Sequence, residues 1–167
     1  MQKLSIYLYW QSILKDTKYK MLEHNINSYI DNNFYLQSEV DSLFDDEAEN
    51  LYSIGYDFFT NGNYQKSYQI FSRLTALVPN VGYYWRALGA INQQLGSYSE
   101  AITAYEMAIS FDPNDVVSYV YMAECKILLG SIDQAIDDLN RVIKMPHLNS
   151  NNPWFIRSSF LLKIHKG

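Results

Sequence analysis

The chain repeats its own landmark residues at a period of 34. Positions 55, 89 and 123 hold Gly, Gly and Ala, and positions 62, 96 and 130 all hold Gly. Positions that hold large side chains recur in the same register: Leu51, Trp85 and Tyr119; Ile54, Leu88 and Met122; and Phe71, Tyr105 and Leu139. Self-similarity at this spacing indicates a stack of like units, each too small to bury its apolar face alone.

Apolar residues recur at helical spacing in both halves of a unit, which predicts two antiparallel helices per unit and an all-α fold. The small residues at 55, 89 and 123, and at 67, 101 and 135, are expected where paired helices cross. Asn61-Gly62-Asn63 predicts a turn within a unit, and Asp112-Pro113-Asn114-Asp115 predicts the boundary between two units. The pattern resembles the tetratricopeptide repeat, with copies at 48–81, 82–115 and 116–149.

Residues 1–47 lie outside this register and are rich in aromatic and aliphatic side chains. Two short helices are predicted there, at about 3–15 and 18–31. The segment serves either as a cap on the open end of the solenoid or as a self-association segment that forms a homodimer, and both roles are compatible. Acidic residues at 41–49 are expected at the solvated start of the first repeat helix.

The C-terminal segment, 150–167, predicts one capping helix. Asn152-Pro153 opens it, and it runs from Trp154 to Lys166. Six large side chains are available to close the solenoid: Trp154, Phe155, Phe160, Leu161, Leu162 and Ile164.

Composition excludes several classes of partner. A net charge of −5 without a cluster of Lys or Arg argues against nucleic acid. No segment is long enough to span a bilayer, and the apolar stretch at 4–10 resembles a signal peptide only loosely. With a single cysteine, the sequence predicts a cytoplasmic protein without an internal disulfide.

No catalytic or cofactor-binding constellation is visible. His24, His147 and His165 are far apart, and none has a second ligand or nucleophile at useful spacing. Cys125 falls within a predicted helix, where a small buried residue is expected. Every glycine of the repeats is explained by packing or a turn, so a phosphate loop is not expected. The sequence predicts neither an enzyme nor a metal or cofactor site.

A binding surface remains. In stacked helical hairpins the first helices line the concave side, and the second, fifth, ninth and twelfth positions of each unit point into it. From these positions we predict a peptide-binding groove, with Glu49 at its start, lined by Tyr52, Tyr56, Phe59, Tyr83, Arg86, Ala90, Gln93, Val117, Val120, Glu124 and Ile127. The alternative is that some of the tyrosines and phenylalanines pack against neighbouring helices.

The chemistry of this lining favours one class of ligand. Tetratricopeptide domains that hold an acidic chain terminus use Lys, Arg and Asn at the fifth and ninth positions. Here those positions supply one cation, Arg86. An aromatic and aliphatic groove suits an extended peptide with Pro and Leu anchors instead.

Three segments are similar to the class II chaperones of bacterial type III secretion, which guard pore-forming translocators. The stretch Asp45 to Tyr64 is similar to the opening repeat of that family, and Tyr83 to Ala90 fits its second repeat. Met122-Ala123-Glu124-Cys125-Lys126-Ile127-Leu128-Leu129-Gly130 is similar to its third-repeat signature. The likeness covers about residues 45–145.

The resemblance implies a chaperone that holds a hydrophobic translocator protein in a secretable form. It also implies that an extended Pro-x-Leu-x-x-Pro-like client segment lies in the groove, where Tyr52, Tyr56 and Phe59 contribute to its pockets. Val120, Glu124 and Ile127 are carried over from the same likeness. The first 40 residues depart from the family, which leaves the oligomeric state open. The alternative function is a general tetratricopeptide adaptor in another bacterial assembly.

Overall fold

The computed structural model describes residues 37–165 of the backbone, with side chains from residue 48 onward. The described part is built of helices: α1 Gln37–Thr60, α2 Tyr64–Leu77, α3 Gly82–Gln94, α4 Tyr98–Phe111, α5 Val116–Leu128, α6 Ile132–Ile143 and α7 Pro153–His165. The chain divides into two compact units, Met1–Phe44 and Asp45–Gly167, and every described side chain belongs to the second. The predicted helices at 3–15 and 18–31, and any self-association through them, lie outside the described residues.

Within the second unit each helix packs against the next one along the chain from α2 to α7, as a solenoid of helical hairpins requires. The all-α repeat fold predicted from the period is therefore confirmed. The first helix, however, begins at Gln37 rather than near 48. The acidic residues at 41–49 consequently lie within α1 and do not mark its start.

The close crossings within hairpins occur at the small residues that the period singled out. A Cβ atom added to Gly55 would lie 2.7 Å from Cε2 of Phe71, and one added to Gly89 would lie 2.7 Å from the ring of Tyr105. Ser67, which faces Gly55, donates a hydrogen bond from Oγ to the Gly55 carbonyl oxygen at 2.8 Å. Only a hydrogen atom fits at these two glycines because an aromatic ring from the partner helix occupies the space.

The turn inside each hairpin depends on a glycine with positive φ. Gly96 has φ +78, and Gly62 and Gly130 have +74 and +80. An L-residue with a Cβ pays about 1–2 kcal/mol in this left-handed region. This explains why glycine recurs at the period in the turns.

Replacing Gly96 with Ala should therefore lower the free energy of unfolding by about 1 kcal/mol. No atom lies within 4 Å of the added Cβ, so the cost reports backbone conformation alone. Chemical denaturation followed by circular dichroism measures it. Ser97→Ala is the control, since Ser97 makes no side-chain cap hydrogen bond. Equal stability of the two variants would contradict the assignment of this turn.

The boundary before α5 is a capped helix start, as the Asp-Pro-Asn-Asp segment predicted. Asp115 accepts hydrogen bonds from the backbone N–H of Ser118 at 3.2 Å and from its hydroxyl at 2.7 Å. A carboxylate at this position satisfies a backbone donor that the helix leaves free. Asp115 thereby fixes where the first helix of the third hairpin begins.

The C-terminal helix closes the solenoid with fewer side chains than the sequence suggested. Leu162 is buried, and Leu161 packs against the same core. Phe160 and Ile164 are 62% and 54% exposed, so these two do not contribute to closure. α7 packs against α5 and α6, and the exposure of Phe160 and Ile164 places them on the side of α7 that faces away from these helices.

Candidate functional site

A group of tyrosines lies where α1 meets α3, and we call Tyr52, Tyr56, Tyr83 and Tyr84 the tyrosine cluster. Tyr52 is its centre: its ring centroid is 6.3 Å from that of Tyr56 in a stacked arrangement and 5.3 Å from that of Tyr83 in an edge arrangement. Tyr84 is buried and lies 5.8 Å from Tyr52. Tyr56 and Tyr83 are 52% and 39% exposed, so the cluster joins the core to an open aromatic surface.

Tyr52 belongs partly to the core. Its ring meets the buried Phe71 of α2 edge-on, with centroids 5.5 Å apart. Burial raises the pKa of Tyr52 above its ordinary value, and the nearby charge of Arg86 acts in the opposite direction. The alternative offered by the sequence, packing against neighbouring helices, therefore applies to part of the Tyr52 side chain, and the rest of that side chain stays partly exposed.

Glu49 accepts hydrogen bonds from two hydroxyl groups of the cluster. Its Oε1 accepts a short hydrogen bond from the Tyr83 hydroxyl and a longer one, at 3.5 Å, from the Tyr84 hydroxyl. Partial burial is the main reason that the pKa of Tyr83 is raised, and the hydrogen bond to Glu49 is the second reason. The Tyr83 phenol thus stays protonated at neutral pH and continues to donate to the carboxylate.

Farther along the same face, the polar groups are bound to one another. Arg86 pairs with Asp115 at 3.1 Å. Gln93 accepts a hydrogen bond at 2.9 Å from the hydroxyl of Tyr105. These side chains are held by their own neighbours, which leaves less free hydrogen-bonding capacity for a charged ligand.

The far end of the face contains residues that the sequence did not predict for the groove, and one of them, Trp154, was predicted to close the solenoid instead. Arg157 of α7 pairs with Glu124 at 2.5 Å, and its guanidinium carbon lies 5.5 Å from the ring centroid of Tyr121. Trp154 meets Tyr121 edge-on at 5.5 Å. The helix start could have revealed them: counted from Pro153, Trp154 and Arg157 occupy the second and fifth positions, as Tyr83 and Arg86 do counted from Gly82.

The predicted lining residues have different positions in the structure. Tyr52, Tyr56, Tyr83 and Arg86 come together around the junction of α1 and α3. Phe59 is half-buried and packs on Tyr64 at 5.5 Å. The other half-buried predicted residues are Ala90, Gln93, Val117, Glu124 and Ile127.

Val120 is the exception. It is fully buried within the core cluster formed mainly by α4 and α5, so it offers no surface to a ligand. Its position in the repeat predicts a place on the face, but in the structure the surrounding core encloses it completely. We therefore remove Val120 from the lining.

Metal binding, cysteine chemistry and membrane insertion find little support in the described part of the chain. From residue 48 onward, no group of three or more His, Cys, Asp and Glu side chains is placed to hold a metal ion. Cys125 is fully buried, as expected, and burial raises its pKa to about 11. The helices described here are all too short or too polar to traverse a bilayer.

Comparison with known proteins agrees with the fold. Residues 82–115 match the tetratricopeptide repeat, and residues 118–145 match it again, so the chain contains tetratricopeptide repeats. Low calcium response locus protein H of Yersinia pestis is 28% identical over 90 residues, which are 54% of this chain and 54% of that protein. The chain thus matches about half the length of this curated relative.

Solved structures extend the likeness. The type III secretion chaperone SycD of Yersinia enterocolitica, in complex with a peptide of the translocator YopD, is 26% identical with a TM-score of 0.66, covering 72% of this chain and 93% of SycD. PcrH, a Pseudomonas aeruginosa protein, is similar in its complex with the chaperone-binding region of PopD. That match has 25% identity and a TM-score of 0.67, and it covers 73% of this chain and 92% of PcrH. Two of the similar structures are therefore complexes in which a repeat protein of this fold holds a segment of another protein.

Proposed function

We propose that this tetratricopeptide-repeat protein is a type III secretion chaperone that binds a hydrophobic translocator protein before its secretion. The observation that carries the proposal is the open tyrosine cluster on the face of the first helices, in a fold whose solved neighbours include chaperones bound to translocator segments. The client segment would lie extended along that face, in a groove that runs from α1 across α3 and α5 to α7.

The surface suits an apolar segment better than a charged terminus. Arg86 and Arg157 are both engaged in ion pairs, with Asp115 and Glu124. A carboxylate ligand would have to displace these partners, whereas a Pro or Leu side chain needs only the exposed rings. Burying one such side chain fully contributes roughly 1.5–3 kcal/mol.

The proposed mechanism is binding alone. A client segment that is held in the groove cannot aggregate or insert into a membrane prematurely. The ratio of bound to free client rises with the concentration of free chaperone, so binding alone protects the client. The role needs no cofactor and no enzymatic step, and it places the chaperone in the bacterial cytoplasm. The repeats at 48–81, 82–115 and 116–149 and the helix at 150–167 form the binding domain in this proposal.

Replacing Tyr56 with Ala should weaken client binding about tenfold, in the range of a moderate interface hot spot. Tyr56 is 52% exposed and stacks on Tyr52, so its removal changes the binding surface more than the core. The measurement is calorimetric titration of the chaperone with an extended Pro-x-Leu-x-x-Pro-like translocator segment. Tyr68→Ala is the matched control, since Tyr68 is 37% exposed but belongs to the second helix of its hairpin.

Three outcomes are informative. A loss of affinity in Tyr56→Ala alone, with an unchanged circular dichroism spectrum, supports the groove. Equal affinities of the wild type and both variants would refute it. Binding of an unrelated partner in place of a translocator would favour the general adaptor over the secretion chaperone.

A further inference from the structure

The carboxylate of Glu49 is fixed in position but is not neutralised by a described cation. The hydroxyl groups of Tyr83 and Tyr84 both donate to its Oε1. The ion pairs found from residue 48 onward are Arg86 with Asp115, Lys126 with Asp138, and Arg157 with Glu124, and none includes Glu49. Glu49 is exposed, so its charge faces a ligand directly.

Aromatic rings adjoin this carboxylate. Tyr83 holds it by the hydroxyl, and the ring of Tyr83 meets Tyr52 at 5.3 Å. A π face attracts a cation by about 0.5–1 kcal/mol at exposed sites and more when water is excluded. Carboxylate and rings together form the type of environment that binds an ammonium or guanidinium group.

The positive charge of Arg86 does not cancel the preference for a cation. Arg86 acts on Tyr52 electrostatically, yet its guanidinium is paired at 3.1 Å with Asp115, which is 6% exposed. Glu49, Arg86 and Asp115 together carry one net negative charge. An anionic ligand would be repelled at this end of the face, and a cationic one would be attracted.

We propose that Glu49, Tyr52 and Tyr83 form a subsite for a Lys or Arg side chain of the bound polypeptide. The inference rests on the proposed function for the source of that side chain, and it adds a charge requirement that apolar anchors do not explain. Because Glu124 at the opposite end is already paired with Arg157, the two ends of the face differ in charge. A basic residue beside the apolar anchors would therefore also fix the direction in which the client segment lies.

The test uses two small probes on the full chain: N-acetyl-lysine methylamide and N-acetyl-norleucine methylamide, which differ mainly in the ammonium group. With tyrosine rings labelled for NMR, the lysine probe should shift the Tyr52 and Tyr83 signals saturably, and the norleucine probe should bind at least fivefold more weakly. Glu49→Gln should abolish the difference. Asp57→Asn, which removes an exposed charge from the same helix, should preserve it.

Equal responses to the two probes, or a Glu49→Gln variant that still prefers lysine, would overturn the subsite. The probes carry no Pro or Leu anchors, so this result does not depend on client binding. Conversely, a translocator segment that binds with unchanged affinity after its basic residues are replaced by norleucine would leave the chaperone function intact and refute the subsite alone.

Discussion

Replacing Asp138 with Ala is expected to lower the free energy of unfolding by about 3–5 kcal/mol. Asp138 of α6 forms an ion pair with Lys126 of α5, in which Nζ of Lys126 donates a hydrogen bond of 2.5 Å to Oδ2 of Asp138. Both residues are buried, with 6% and 9% exposure. Without the carboxylate, the ammonium of Lys126 would remain in the interior with no compensating charge.

The measurement is equilibrium denaturation, with two controls. Asp137→Ala removes an exposed carboxylate from the adjacent position and should change stability by less than about 0.5 kcal/mol. The double replacement of Lys126 with Met and Asp138 with Leu should recover most of the loss, because apolar residues of similar volume avoid the cost of desolvating two charges. Similar losses in Asp138→Ala and Asp137→Ala would show that the pair is not buried in solution.

The hairpin fold could be predicted from the sequence because the residues that repeat meet local structural requirements. Gly96 recurs where a turn needs positive φ, and Gly89 recurs where a ring leaves no room. The turn requirement applies in all three copies and the ring contact in the first two, so repetition of the residue reveals repetition of the structure. The same argument does not reach residues 37–47, where no repeat marks the early start of α1.

The period also predicts which residues of neighbouring repeats contact each other, and this cannot be read from single helix positions. Glu49 and Tyr83 are 34 residues apart and share a hydrogen bond, and Glu124 and Arg157 are 33 apart and form an ion pair. In a solenoid, residues about one period apart lie side by side on neighbouring first helices. Searching for complementary side chains at that separation would have identified both contacts.

Exposure could not be predicted in this way. Val120 and Glu124 both occupy predicted groove positions, yet Val120 is fully buried while Glu124 remains half-buried and paired. The difference depends on the side chains that surround each position, and these side chains vary from copy to copy. Burial is a property of the packed neighbourhood, which a position within the repeat does not specify.

Replacing Gly89 with Leu should lower the free energy of unfolding by about 3 kcal/mol, at the upper end of the usual cost of overpacking. The first added carbon alone would lie 2.7 Å from Cδ1 and Cε1 of Tyr105. That ring cannot move aside easily, because it is fully buried and its hydroxyl donates to Gln93 at 2.9 Å. Thermal and chemical denaturation measure the loss, and Ala90→Leu at the half-buried next position is the control.

A double-mutant cycle separates the clash from any general effect of a larger residue in α3. Combining Gly89→Ala with Tyr105→Leu removes the ring from the space that the new Cβ needs. If the clash is the cause, the double variant should be more stable than the sum of the two single losses predicts, by about 1 kcal/mol or more. Strictly additive losses would mean that Gly89 and Tyr105 do not meet. The helix register that places the tyrosine cluster on the binding face would then be wrong as well, because Tyr83 and Gly89 belong to the same helix.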